Sequence, residues 1–185
     1  MFTIKIDNEL TLKFPDKSDA GGLFAVVEED RQELGRWMPW VAETKTAADE
    51  ENYLKMSAKK MIDGELWLAI ILVNNQPVGT IDIHGIDLVN RQGEIGYWLS
   101  QKEQNRGIVS RALTKVCEIA FTELQLHRLG LITEAGNLKS QRVAEKNGFE
   151  LEGTLRGFIR NETGFVDAQL FSKINSLAVV VDADA

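Results

Sequence analysis

Cysteine is nearly absent from this sequence: Cys117 is the only one in 185 residues. That excludes an internal disulfide framework and a zinc site built from several thiolates. Histidine is as scarce, with His84 and His127 well separated in the chain, so no metal is expected to be held. No uninterrupted apolar stretch is long enough to span a bilayer, and none near the start resembles a signal peptide. The longest run, Leu66 to Val73, has the length of a strand. Net positive charge is missing too. A formal charge of −7 argues against a nucleic-acid surface and is compatible with a basic or amine partner. Repeats, low-complexity segments and an internal linker are not seen, and the phosphate-loop pattern G-x-x-x-x-G-K-[ST] does not occur. These absences leave a cytoplasmic chain with no membrane partner and no direct nucleic-acid partner, of a length that fits one compact domain.

The residues that are present alternate between two periods. Phe2–Ile6 and Leu10–Phe14 read as a short hairpin about Asp7-Asn8-Glu9. Apolar residues then recur at Leu23, Val26, Val27, Leu34 and Trp37, a helical spacing with Ser18 as its N-cap, which Trp37-Met38-Pro39-Trp40 ends. A second helix is expected from Ala47 to Ile62, with Leu54, Ala58, Met61 and Ile62 on one face. Leu66–Val73 reads as a strand buried on both sides, followed by strands over Pro77–His84 and Glu94–Ser100. A helix from about Arg106 to Leu124 turns Leu113, Val116, Cys117, Ala120 and Phe121 inward. Arg128–Thr133 is a further strand, and Leu138–Asn147 a helix stopped by Gly148. Phe149–Arg160 and Phe165–Lys173 complete a hairpin about residues 161–164, and the tail from 176 to 185 looks loosely held.

The most informative stretch is Gly93-Glu94-Ile95-Gly96-Tyr97-Trp98-Leu99-Ser100 followed by Gln104-Asn105-Arg106-Gly107-Ile108-Val109. A strand, a glycine-bearing turn and a helix start present free backbone N–H groups and the positive end of a helix dipole, which suits a phosphate-bearing ligand.

The order of these elements resembles the GNAT superfamily of acyl-CoA-dependent N-acetyltransferases. Its pattern Q/R-x-x-G-x-G/A is met by Gln104 and Gly107, with Val109 departing at the third position. Its downstream pattern N-x-x-S…K-x-G-F is met by Asn137, Ser140, Lys146, Gly148 and Phe149. Asn90-Arg91 with Glu94–Leu99, together with Leu34-Gly35-Arg36-Trp37 and Trp40, narrows the likeness to the RimJ/RimL branch, and to its ribosomal-protein-serine-acetyltransferase-like members. The resemblance covers roughly residues 5–173 and implies a three-layer α+β fold over residues 1–175. Its mixed, mostly antiparallel sheet would splay between the fourth and fifth main strands, Glu94–Ser100 and Arg128–Thr133.

The resemblance further implies acetyl-CoA as cosubstrate and no metal. Its pantetheine arm would lie against the backbone of Trp98 and Leu99, and its pyrophosphate on the N–H groups of Arg106, Gly107, Ile108, Val109 and Ser110. Gln104, Asn105, Asn137 and Ser140 complete the cofactor-binding set. Direct transfer to a primary amine then needs a neutral amine and a protonated leaving sulfur. Glu94 is the implied base and Ser140 the implied acid; the tyrosine many family members use instead is replaced by Ala144. At Ile159 some branch members carry a carboxylate, absent here. Trp37, Trp40 and His84 are candidates for the acceptor pocket, one tryptophan in the core and one in the pocket. Cys117 is expected to be an inert core thiol. The expected acceptor is a protein N-terminus, with the chain a homodimer. A small amine such as an aminoglycoside or polyamine, and a CoA-binding module without turnover, stay open.

Overall fold

The computed structural model describes residues 2–176. The segment 177–185, most of the tail set apart above, lies outside the described residues. Eight strands form one sheet: β1 (Thr3–Lys5), β2 (Leu10–Lys13), β3 (Leu66–Val73), β4 (Gln76–Asp87), β5 (Gln92–Leu99), β6 (Arg128–Glu134), β7 (Glu150–Asn161) and β8 (Gly164–Ile174). Their spatial order is β1-β2-β3-β4-β5-β6-β8-β7. Every neighbouring pair is antiparallel except β5 with β6.

Alternation along β3 builds the two faces of the sheet. Trp67, Ala69, Ile71 and Val73 join one core cluster with Leu113, Val116 and Cys117, while Ile70 turns the other way to meet Leu23, Leu34, Leu54 and Trp98. The first cluster is covered by α4 (Ile108–Thr122), with α5 (Leu138–Lys146) beside it; the second is covered by α1 (Ala20–Glu29), α2 (Arg31–Gly35) and α3 (Ala47–Ile62). This is the expected three-layer arrangement.

Several local expectations are corrected. Ser18 is not the N-cap: Asp16 accepts from Ser18 N–H, and Asp19 returns the contact to the Asp16 backbone, so a short 3₁₀ turn precedes α1. The first helix breaks at Asp30, whose carboxylate is drawn aside to accept from the Gln101 N–H at 2.7 Å. On α3 the inward face is Glu50, Leu54 and Ser57, whereas Ala58 and Ile62 are exposed. The helix therefore sits rotated from the position its apolar residues predict. The strands β4 and β5 run on to Asp87 and back from Gln92, because Asp87 accepts from the N–H groups of Val89 and Asn90 and closes the turn between them. Arg106 falls outside α4, which starts only after Gly107 at φ 70°.

β5 and β6 pair over three positions only, from Gln92↔Arg128 to Glu94↔Gly130. Beyond Glu94 the two strands part, and among the described residues no strand fills the gap. Among the described residues no helix is long and apolar enough to cross a membrane.

Candidate active site

The divergence of β5 from β6 opens into a cleft of about 1340 Å³, above the usual range of a pocket for one small molecule. Residues 95–99 of β5 and 131–134 of β6 form its walls, α4 and α5 close one side, and α2, the loop after it and α3 close the other. Glu94, Trp37, Trp40, His84, Trp98, Leu99, Gln104, Asn105, Gly107, Ile108, Val109, Ser110, Asn137 and Ser140 all line it.

Arg106 does not. Its guanidinium turns outward to pair with Glu103 and, at 2.5 Å, with Glu9, so only the backbone of Arg106 belongs to the turn. Val109, the departure from the family pattern, is buried and packs in the core beneath α4. A side chain there leaves the helix start intact.

The helix start keeps its donors free. Gly107 is in the left-handed conformation that glycine adopts without strain, and no side chain caps α4. The first N–H groups, through Ser110, therefore have no intrahelical acceptor. Together with the unpaired length of β5, this donor set fits the phosphates and amide-bearing arm of acetyl-CoA.

Asn137 caps α5, its side-chain oxygen accepting from the Ser140 N–H at 3.2 Å. The Ser140 hydroxyl lies 2.8 Å from the Tyr97 hydroxyl, so β5 and α5 are joined across the gap. Burial is the main cause that pushes the Tyr97 phenol up to about 12, which keeps it a neutral donor. Lys139 donates to Gln104 Oε1 at 2.8 Å, a second link from the phosphate turn to α5.

On the opposite face of β5, Glu94 stands directly across from His84, and Gly96 across from Asp82. A Cβ at Gly96 would sit 2.9 Å from an Asp82 carboxylate oxygen, so glycine there makes room for that carboxylate. Asp82 Oδ1 is 2.7 Å from His84 Nδ1, and Glu94 Oε1 is 3.6 Å from His84 Nε2. The Asp82 contact first, and Glu94 second, raise the imidazole to about 10. His84 is therefore a cation between two carboxylates at neutral pH. Because its folded value is raised, the stabilisation it adds is complete below about 6.5 and fades as pH rises through about 10.

Trp40 is 36% exposed and its ring lies 6.0 Å from that of Trp98. Trp37 is half-buried beneath the Arg36 guanidinium. Neither enters the fully buried core, unlike the division expected of them; both edge the cleft because proline at 39 turns the chain into a short 3₁₀ segment there. Ile159 also lines the cleft. Cys117 is buried, and burial pushes its thiol up to about 11, far from a reactive thiolate. Among the described residues no three His, Cys, Asp or Glu side chains converge to hold a metal.

Three participants, Asp82, Glu50 and Tyr97, escaped the sequence reading. Asp82 and His84 share one strand face at a spacing of two, a legible signal that strand alternation alone supplies. Glu50 precedes Leu54 and Ser57 by helical steps, which places it inward. Tyr97 sits in the diagnostic string, but only the fold brings it to Ser140.

The acetyltransferase (GNAT) domain family matches residues 9–150. A Bacillus subtilis (strain 168) protein, YdaF, provisionally assigned as a ribosomal N-acetyltransferase, is 34% identical over 158 residues, covering 84% of this chain and 86% of that protein. The ribosomal-protein-serine acetyltransferase of Escherichia coli (strain K12) is 25% identical over 172 residues, 93% of this chain and 96% of that one. The crystal structure of the microcin C7 self-immunity acetyltransferase MccE, with acetyl-CoA and AMP, superposes with a TM-score of 0.89 at 25% identity, covering 93% and 96%. With the phosphate turn, the parted strands and these relatives in agreement, the chain belongs to the GNAT acetyltransferase family, in its RimJ/RimL branch, as an acetyl-CoA-dependent N-acetyltransferase.

Proposed function

We propose that the acceptor is the N-terminal amine of a protein, of the ribosomal kind that the relatives' names specify. The observation that carries this reading is the size of the cleft. At about 1340 Å³ it exceeds what one small molecule needs, and Trp37, Trp40, Asp82, His84 and Glu94 line it together with the glycine turn. A cytoplasmic homodimer with no nucleic-acid partner belongs to the same proposal; sedimentation of the purified chain at twice the monomer mass is the expected result.

Acetyl-CoA supplies the acetyl thioester. The chain's own residues do the rest. The α4 N-terminus and the backbone at Trp98 and Leu99 hold the donor in the gap. Glu94 takes a proton from the acceptor ammonium, directly or through a water, and His84 beside it fixes the direction of that carboxylate. An α-amine titrates near pH 8, so modest basicity is enough. Ser140 donates toward the leaving sulfur, and Tyr97, by donating into the Ser140 oxygen, frees the serine proton for that task.

The test is thiol release from acetyl-CoA with peptides bearing free N-terminal serine or alanine, alongside the same peptides already N-acetylated. Turnover is expected only with the free N-termini, and acetylated product should be found at the α-amine by mass spectrometry. No turnover with any peptide, but turnover with an aminoglycoside or a polyamine, would sink the protein-terminus reading. Tyr97→Phe is expected to lower kcat by about 10-fold and Ser140→Ala by about 10- to 100-fold, and the double variant no further than Ser140→Ala alone. Additive losses in that cycle would show that the two hydroxyls act separately.

A further inference from the structure

We propose that Glu50 forms a separate acceptor subsite, which takes a second, positively charged nitrogen of the acceptor while the amine to be acetylated lies at Glu94. The inference rests on the acetyl-transfer reading above and goes beyond it by naming a chemical class of acceptor.

Glu50 is on α3, is only 4% exposed, and lines the cleft. Among the described residues its carboxyl makes no hydrogen bond or ion pair, and burial is the one cause acting on it, raising it from 4.5 to about 7. Among the described residues no sealed side-chain oxygen lacks a partner, so the Glu50 oxygens still open onto the cleft, and a mostly buried carboxyl with no protein partner costs stability. The helix has no need of it there. The α3 N-terminus is already closed by Thr46 and Asp49, each bonding the other's backbone, and Leu54 supplies the apolar packing. A ligand that brings a cation restores what the free protein lacks.

The surroundings have the matching sign. Glu33, paired with Arg36 at 3.5 Å, and Glu65, Asp82 and Glu94 line the side of the cleft that α2 and α3 close. The cations lining it are Lys60 and His84, and His84 is already committed to Asp82 and Glu94. Tyr53, one turn along α3, leaves part of its side chain exposed, while its phenol is raised to about 12 by burial first and then by the nearby Asp82 and Glu50 carboxyls. The carboxyl thus borders a run of acidic and hydroxyl groups that leads to Glu94. By contrast Lys139, Arg142 and Lys146 lie with α5, on the other wall.

The shared chemistry has two sources, a basic side chain near a peptide N-terminus or the far amine of a polyamine, and two matched pairs of probes separate them. One pair is a serine-initiated peptide with lysine or norleucine at its second position; the other is putrescine and n-butylamine. Turnover is measured with saturating acetyl-CoA, and equilibrium binding by calorimetry in the presence of CoA, where no acetyl transfer occurs. In one pair at least, the wild-type protein is expected to favour the cationic member by about 10- to 100-fold, in KM and in Kd rather than in kcat. Glu50→Gln, nearly isosteric, is expected to erase that preference while leaving the neutral member unchanged. The pair that shows it identifies the source.

Equal binding of both members in both pairs overturns the proposal, as does a preference that survives Glu50→Gln. An equal loss of neutral and cationic members in the variant also overturns it, because it marks a structural role. Should Glu50→Gln fail to fold, the wild-type comparison still decides. If no probe is acetylated, the proposed acceptor chemistry fails while the calorimetric preference continues to judge the subsite.

Discussion

Glu94→Gln is expected to lower kcat at pH 7 by about 100- to 1000-fold, with KM for acetyl-CoA little changed. The carboxylate lies across from His84 on β4 and on the cleft side of β5, while the phosphate seat is at the far end of the strand, so donor binding does not depend on it. Glutamine keeps the size and the 3.6 Å approach to the imidazole but cannot accept the ammonium proton. Since the acceptor amine titrates near 8, the neutral fraction grows by about 10-fold between pH 7 and pH 9, and the variant should regain about that much activity over the interval. The wild-type profile should show no inflection near 6.5, because His84 is held charged to about 10. A variant at full rate, or one that gains nothing on raising the pH, would remove Glu94 from the role of base. The pH–rate profile of kcat on an N-terminal peptide measures both.

Gly79→Val is expected to unfold the protein readily, with a loss of about 3 kcal/mol or more and a fall in Tm of roughly 6–12 °C. Gly79 pairs with Leu99 across the β4–β5 ladder. A Cβ built on it would lie 2.1 Å from the Trp98 carbonyl oxygen and 3.0 Å from the Leu99 Cα. These are backbone atoms, so no rotamer relieves the clash and the strands must separate. The separation falls on the stretch of β5 whose backbone is proposed to hold the cosubstrate, so affinity for CoA is expected to fall in the same variant. Gly93→Ala is the comparison: there the nearest atom is the Ile83 Cγ2, at 2.7 Å, a side-chain methyl in the core rather than backbone, and the loss should be smaller though not negligible. Thermal denaturation of the two variants, with calorimetric titration of CoA, compares them directly. Equal stability of Gly79→Val and the parent would mean that the ladder tolerates what its geometry forbids.

Much of the architecture was legible because single elements carry their own signals. The eight-residue apolar run of β3, the glycine after α5 at φ 73°, and Asn137 at the α5 N-terminus each follow from local sterics or capping. α3 shows where such signals stop. Its ends were legible, because Thr46 with Asp49 and Asp63-Gly64 are punctuation, but its rotation was not. Tyr53, Met56 and Ile62 stay exposed while Glu50 and Ser57 go inside. An apolar-face argument treats burial as the only aim of a helix, and the cleft beside α3 imposes another. Trp37 and Trp40 failed to divide into core and pocket because Pro39 turns the chain along the edge of the cleft.

By itself the sequence determined the glycine turn, the free N–H groups that follow it and the strand that leads into it, since these need only the backbone preferences of neighbouring residues. It also determined that Glu94 shares a face with Gly96 and Trp98, which alternation settles. Only the tertiary structure decided which side chains meet across elements: Tyr97 with Ser140 over the parted strands, Glu94 with the Asp82–His84 pair of the next strand, and Glu50 beside the cleft with no partner among the described residues. Those are contacts between residues as many as 43 positions apart. They exist because β5 and β6 separate after three paired positions, and no periodicity in the chain records where two strands part.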